Sequence, residues 1–448
     1  MYRLEDIEKV KRNISKIQEE SQIAFKTNYE PTITEYKEVV KYILEFIKEK
    51  KRIIYGGYAQ NKLIQIKNES DVFYKDIDTP DLEFYSYEPI KDIVDLCDYL
   101  YEKKCKFIQG SEGVHIGTYK LYVNFENYCD ISYISKNIYD SIKYIEVNNI
   151  KYTHPYFMYI DYYRIFTDPN SFSFRLEKSF NRYTRLYKYY PIEIPKNSKI
   201  LIKKNDSTIL SIIRKKIIHN SKYIVVGKYA YNYYIHKIDE KLIDIDFYEL
   251  IILDFKEEIK KILLILNNNF NNKITTKEFT PFFEFFGRRV EFYLDDKLIL
   301  KVYDNNNRCI VNRFSKKKKC YFGTNQLLLL SLFANYSYSI VNRNKIDENN
   351  YLHMIYNLII CKNKYLEMKN KTVLDKTPFE DFIVNCNGIS MNPIREAFLE
   401  RYNKKKKGLR LNFRYEPSGK KINIPNFNFE NTSGNIIIND KNLILKNL

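Results

Sequence analysis

Two stretches of this chain follow the same plan, and that repetition limits its fold more than any other feature. Arg52–Ile64 reads R-I-I-Y-G-G-Y-A-Q-N-K-L-I, and Lys222–Ile235 reads K-Y-I-V-V-G-K-Y-A-Y-N-Y-Y-I. Each is a short β-branched run that ends at glycine and continues as Y-A-x-N into a helical pattern. A helical pattern also precedes each, at Glu35–Lys48 and Thr208–His219. An acidic strand follows each, D-L-E-F-Y-S at Asp81–Ser86 and D-I-D-F-Y-E at Asp244–Glu249. Strand-like runs come next: Lys104–Gln109, Thr118–Phe125 and Tyr128–Ser135 in the first copy, and Phe279–Phe286, Val290–Leu294 and Leu298–Tyr303 in the second. Helical patterns close the copies, Pro155–Tyr190 in the first and Thr324–Asn342 with Tyr351–Met368 in the second. The expectation is an α/β (α+β) protein, a duplicated mixed, antiparallel-leaning sheet flanked by helices. Residues 1–190 and 191–402 form the two units, and 403–448 an extended, basic, Asn-rich tail with a final strand.

Composition narrows the class. The 448 residues include 71 Phe and Tyr and are 44% hydrophobic, which excludes general disorder. No window offers the roughly 18 uninterrupted apolar residues of a membrane span, and no apolar segment follows Met1 as a secretory leader would. The seven cysteines are scattered and odd in number, so the expectation is free thiols in a reducing intracellular compartment, with no zinc cluster. The formal charge is +18. Lys, Asn, Ile and Tyr are abundant throughout, as an AT-rich coding sequence produces, so position carries more than the total. Residues 1–150 hold 22 basic and 26 acidic side chains, whereas the remainder holds 52 and 30. The excess in the C-terminal two-thirds points to an anionic partner.

The first copy carries a chemical constellation. Gly56-Gly57 ends a strand and opens a helix, which lets backbone amides approach a phosphate. Asp81 and Glu83 stand at i and i+2, so their carboxylates share one face while Leu82 and Phe84 enter the core. Asp130 is the single acid in the apolar run Y-C-D-I-S-Y-I. Three carboxylates converging from neighbouring strands suit two divalent cations. Asp76 and Asp78 form a competing pair, but Pro80 separates them from the strand and Asp81/Glu83 align with Asp244/Asp246. In the second copy Lys228 replaces Gly57, and the ungapped alignment puts Lys301 of L-K-V-Y-D where Asp130 would be, with Asp304 nearby. A cation there repels Mg²⁺, so the second unit is expected to be catalytically silent. The histidines are isolated. Gly110–Gly117 reads as a hairpin turn, and Lys316–Lys319 as either a solvated loop or an RNA contact.

Strand–Gly-Gly–helix, then D-h-E, then a third carboxylate resembles the DNA polymerase β-type nucleotidyltransferases. Y-G-G-Y-A-Q-N with T-P-D-L-E-F-Y-S, and S-F-R-L-E-K-S-F-N-R-Y at Ser173–Tyr183, resemble the viral poly(A) polymerase catalytic subunits of large nucleocytoplasmic DNA viruses, mimivirus type. The 24-residue interval from Gly57 to Asp81 is longer than the superfamily pattern and implies an insertion around Asn68–Asp76. The resemblance implies template-independent transfer of AMP from ATP to an RNA 3′ end, with two Mg²⁺ or Mn²⁺ ions on Asp81, Glu83 and Asp130. It implies Gly56 and Gly57 at the nucleotide phosphates. Arg164, Arg175, Lys178, Arg182 and Arg185 recur at helical spacing among aromatics, and could meet triphosphate or RNA or simply form a solvated face. The resemblance further implies a homodimer or a processivity subunit, and a place in the host cytoplasm's viral factory or the virion. A CCA-adding, poly(U) or oligoadenylate enzyme shares these motifs, and a non-catalytic RNA-binding subunit is the alternative of a different class.

Overall fold

The computed structural model describes residues 2–29, 31–76, 78–195, 207–238, 242–407 and 413–420, with 424, 429, 431–437 and 443–445 of the tail. The chain forms two compact units. One comprises Met1–Tyr133, Tyr144–Thr153 and Glu396–Asn428, the other Ile134–Lys143, His154–Arg395 and Phe429–Leu448.

In the first unit the strands are β1 (Ile53–Tyr55), β2 (Leu82–Ser86), β3 (Gln109–Glu112), β4 (Thr118–Val123), β5 (Glu126–Tyr133), β6 (Tyr144–Val147) and β7 (Ile150–Thr153). They lie in the order β3-β4-β5-β2-β1-β7-β6, and the two-residue strand Arg414–Tyr415 pairs with the outer edge of β3. The pairs β2/β5 and β1/β7 are parallel and the others antiparallel. The second unit contains β8 (Ile224–Val226), β9 (Tyr248–Ile252), β10 (Ile274–Phe279), β11 (Arg289–Leu294), β12 (Lys297–Asp304), β13 (Ile310–Ser315) and β14 (Cys320–Gly323). Their order is β10-β11-β12-β9-β8-β14-β13. Position by position this is the order of the first sheet, with the same parallel and antiparallel steps. The repeat seen in sequence is therefore a duplication of a whole seven-strand mixed sheet.

Local chemistry explains why each copy begins as it does. Thr32 and Glu35 form a reciprocal capping box that starts the helix Ile33–Glu49, a device that contributes about 1 kcal/mol. That helix buries Ile43, Phe46 and Ile47, while β1 and β2 bury Ile53, Ile54, Leu82 and Phe84. The Y-A-x-N signature holds the next helix in place. Ala59 and Ala230 are fully buried. Asn61 Oδ1 accepts the amide N–H groups of Phe73 and Tyr74 at 2.9 and 3.0 Å. Asn232 likewise clamps Ile243, donating to its carbonyl at 2.8 Å and accepting from its N–H at 3.0 Å. Each asparagine thus ties its helix to the loop that leads to the next strand. The segment 68–76 accordingly packs as a short loop with one 3₁₀ turn, Glu69–Asp71.

Four expectations need correction. The strand at Lys104–Gln109 begins instead at Gln109, because Lys104 and Phe107 have positive φ, 65° and 49°. The one at Phe279–Phe286 ends at Phe279, ahead of Phe283 with φ 47°. The helix over Pro155–Tyr190 is two helices, Pro155–Phe166 and Pro169–Tyr189, because Asp168 caps the second and a proline N1 starts it. Both belong to the second unit. Finally, Cys309 and Cys386 form a disulfide across 77 residues. Strand pairing brings them together, since β13 pairs with the two-residue strand Cys386–Asn387, and sequence spacing carries no trace of that pairing. The start of the tail completes the helix Pro393–Lys406, and much of the chain beyond Lys407 lies outside the described residues. Among the described residues no helix is long and apolar enough to cross a membrane.

One ion pair anchors the start of β1. Arg52 is 4% exposed and its guanidinium bonds Asp92, itself 1% exposed, at 2.9 Å, and Glu88 at 2.7 Å. Removing one partner strands the other charge in the core. Asp92→Ala is expected to lower unfolding free energy by about 3 kcal/mol in chemical denaturation. Glu88→Ala, which removes a carboxylate that is 36% exposed, should cost much less.

Candidate active site

The first unit gathers the predicted residues at one end of β2 and β5. Gly56 is the first residue of the helix Gly56–Gln65 and has φ 69°. A Cβ there would lie 1.7 Å from Glu83 Oε2, so only glycine lets strand and carboxylate approach this closely. Glu83 in turn accepts the Gly57 amide at 3.0 Å. The N-cap residue Tyr55 makes no side-chain bond to the helix, so Glu83 is the group that meets the first turn and its positive dipole end.

Register places the acids. Tyr55 pairs with Glu83 across β1/β2, and Glu83 with Asp130 across the parallel β2/β5 step. Asp81 immediately precedes β2. The Asn127 amide bridges the two aspartates, donating to Asp130 at 3.1 Å and to Asp81 at 3.4 Å, and its buried Oδ1 has no hydrogen-bond partner among the described residues. Lys120, opposite Asp130 on β4, donates to both Asp130 oxygens at 2.8 and 2.7 Å. Burial opposes the Lys120 ammonium, yet the Asp130 hydrogen bond and the charges of Asp130 and Asp81 hold its pKa above the ordinary value. The buried Cys129 thiol senses the whole cluster: burial first, then the charges of Asp130, Asp81 and Glu83, push its pKa well up. Among the described residues no three His, Cys, Asp or Glu side chains stand together closely enough to hold a metal ion. In this conformation Glu83 is turned to Gly57 and Asp130 is held by Lys120.

Lys120 and Asn127 are not marked by the sequence. A lysine alternating with apolar residues in T-Y-K-L-Y-V was the available signal, and hairpin register was needed to set it against Asp130. The basic residues resolve differently. Arg175 and Lys178 are exposed and Arg182 half-buried on the helix Pro169–Tyr189, in the second unit. Arg164 is not on that face: it sits on the preceding helix, paired to Asp161 at 3.0 Å and Glu284 at 2.5 Å.

The second unit repeats the scaffold and reverses the charges. Gly227 has φ 64°, and a Cβ on it would meet Glu249 Oε2 at 1.8 Å. Val226 pairs with Glu249 and Glu249 with Lys301. The counterpart of Glu83 is therefore Glu249, and that of Asp81 is Phe247, which corrects the alignment with Asp244 and Asp246 by three residues. The acidic D-I-D precedes the strand, which begins at Tyr248 where the buried apolar run starts. Lys301 does stand in the place of Asp130. Its cross-strand neighbour is Glu291, where the first unit has Lys120, so the ion pair is kept with its signs exchanged. Lys228, in the place of Gly57, bonds Asp246 at 2.8 Å.

A mixed sheet with a strand–Gly-Gly–helix turn and carboxylates on the two adjoining parallel strands defines a nucleotidyltransferase fold. Residues 41–171 match the family model for the poly(A) polymerase catalytic subunit, and residues 181–447 the model for the C-terminal part of the APMV poly(A) polymerase catalytic subunit. The poly(A) polymerase catalytic subunit of Acanthamoeba polyphaga mimivirus is 32% identical over 99% of this chain and 84% of its own length. Those of African swine fever virus isolates reach 31% over 37% of this chain and 36% of theirs. The crystal structure of the Megavirus polyadenylate synthase superposes with a TM-score of 0.92 at 32% identity, covering 99% of this chain and 94% of that one. The chain belongs to the family of viral poly(A) polymerase catalytic subunits, enzymes of the polynucleotide adenylyltransferase class.

The two glycines make a controlled comparison. Gly56→Ala and Gly227→Ala should each lower stability by about 1–3 kcal/mol, because a left-handed residue gains a side chain against a carboxylate. Corrected for folded fraction, only Gly56→Ala should also depress AMP incorporation; equal loss in both would show that the Gly56 turn has no role beyond the fold.

Proposed function

We propose that the first unit extends single-stranded RNA at its 3′ end, taking AMP from ATP without a template, and that Asp81, Glu83 and Asp130 hold the divalent cations. The observation that carries this is the contrast between the copies: both retain the glycine turn and its glutamate, whereas the two aspartates occur only in the first. The donor set suits a hard cation, with the carboxylate oxygens of Asp81 and Asp130 drawn together by the Asn127 amide nitrogen and Glu83 on the adjoining strand position. When bound there, a pair of Mg²⁺ or Mn²⁺ ions supplies charge neutralisation at the triphosphate and acidifies the attacking hydroxyl.

The protein's own groups do the positioning. The first turn at Gly56–Gly57 receives triphosphate oxygens once Glu83 turns from the Gly57 amide to a cation. Asn127 sets the angle between Asp81 and Asp130. Lys120 balances Asp130 before substrate arrives, which keeps the adjacent carboxylates from repelling one another. The 3′-oxygen attacks the α-phosphorus in line and pyrophosphate leaves. Arg175, Lys178 and Arg182 bind phosphate groups of ATP or RNA. The second unit, with Phe247 and Lys301 in place of two carboxylates, does no phosphoryl transfer. In this reading the enzyme acts within the infected host cell, and a homodimer or a separate processivity subunit keeps it on its RNA.

Primer extension with each NTP separately, in Mg²⁺ or Mn²⁺, tests this reading. Asp81→Ala and Asp130→Ala should each lower AMP addition at least about a hundredfold, more than outer partners of a metal site usually cost. Equal incorporation by wild type and Asp81→Ala would sink the site assignment, and a preference for UTP or CTP would overturn the adenylate specificity. Asp246→Ala, which removes only the exposed partner of Lys228, should leave single-nucleotide addition within about twofold of wild type; a collapse with the fold intact would mean that the second unit takes part in the chemistry.

A further inference from the structure

The second unit carries a concentrated basic surface away from the pseudo-site, built from three separate segments. The hairpin joining β13 to β14 has the tip Lys316–Lys319, and all four lysines are exposed. Beneath it the chain leaves the short helix Thr208–Ile213 through a π-helical turn, Arg214–Ile218, a geometry frequent at functional sites. The Asn220 amide donates to the Lys319 carbonyl at 2.8 Å and ties the two segments. The third segment brings Lys237.

These cations are close enough to act on one another. Burial, then the charges of Arg214, Lys319, Lys215 and Lys318, hold the His219 imidazole below its ordinary pKa. Burial, then Lys317, Lys318 and Arg313, do the same to the Lys237 ammonium. A solvated lysine run on an isolated loop would not impose itself on two separate segments. Aromatic rings are interleaved with the charges. Phe314 is 51% exposed at the base of the lysine tip, 4.9 Å from Tyr321. Lys237 lies 4.1 Å over Tyr233, which itself stacks on Phe322 at 4.3 Å.

We infer that this surface, the β13–β14 lysine tip with the Arg214 turn, Lys237 and the exposed Phe314 ring, binds the backbone and a base of single-stranded RNA, as a holding site outside the catalytic unit. Converging cations neutralise successive phosphates, and an exposed ring accepts a base without regard to its identity. A run of cations beside an exposed ring matches the alternation of phosphate and base along a single strand. The inference rests on the reading of the chain as an RNA-tailing enzyme for the identity of the polyanion.

Affinity of the full chain for oligoadenylate RNA, measured over a range of salt, tests it. Replacing Lys316, Lys317 and Lys318 by serine leaves Lys319 and its carbonyl bond in place. That variant should bind about tenfold more weakly near physiological salt, with a log–log salt slope shallower by about 2. Phe314→Ser should weaken binding about fivefold or more with no change of slope, because stacking releases no counterions. Unchanged affinity and slope in the triple variant, confirmed folded by thermal unfolding, would overturn the inference. So would a loss of binding to an acidic peptide without loss of RNA binding, which would make this a protein-docking surface. AMP addition by the wild-type protein separates the two readings. RNA binding with the expected slopes but no AMP addition would remove the proposed chemistry and leave this surface standing.

Discussion

A carboxylate lodged against a glycine with no room for a side chain between them sets the geometry of this protein. Glu83 reaches over Gly56 to take the Gly57 amide. This one contact fixes the left-handed turn, the direction of the helix Gly56–Gln65, and the height of β2 relative to β1. Register then carries the constraint outward: Tyr55 opposite Glu83, Glu83 opposite Asp130, Asp130 opposite Lys120. That row across four strands places Glu83, Asp130 and Lys120, and Asp81 follows from it two residues before Glu83. Side chains held on strands, not on loops, keep such an arrangement accurate.

The second unit shows which part of the row is architecture and which is chemistry. Gly227 and Glu249 preserve the close approach, and Glu249 is buried against Tyr303 and Asn335. Around that fixed contact the other positions diverged. Phe247 and Lys301 took the places of Asp81 and Asp130, and Glu291 took that of Lys120. The exchange of both signs across β11/β12 keeps an ion pair inside a sheet where a lone charge would be costly. Glu83 thus has a duty to the fold that both copies keep, and Asp130 has one as the partner of Lys120, which the second copy keeps with the signs exchanged, whereas the carboxylate of Asp81 has no counterpart there.

The division of charge follows the same logic. Carboxylates belong where cations are to be gathered, and basic groups where a polyanion is to be held. The helix Pro169–Tyr189, with Arg175, Lys178 and Arg182, and the lysine tip of β13–β14 both belong to the second unit. Its sheet therefore supports two basic surfaces on the same seven-strand frame that carries the carboxylates in the first unit.

The sequence by itself determined the duplication, the strand–glycine–helix turn and the loss of Asp130's counterpart at Lys301. Each depends on short-range pattern: glycine where φ must be positive, alternation where one face is buried, and an asparagine that clamps the adjacent loop. Tertiary structure alone decided what depends on register between distant strands. It set Lys120 and Asn127 beside Asp130, moved the counterpart of Glu83 from Asp246 to Glu249, joined Cys309 to Cys386, and drew the Arg214 turn, Lys237 and the lysine tip into one surface. The reason is the two-residue period of a β-strand. A local pattern tells which side chains share a face, but only the hydrogen-bonded ladder tells which residue of another strand stands opposite.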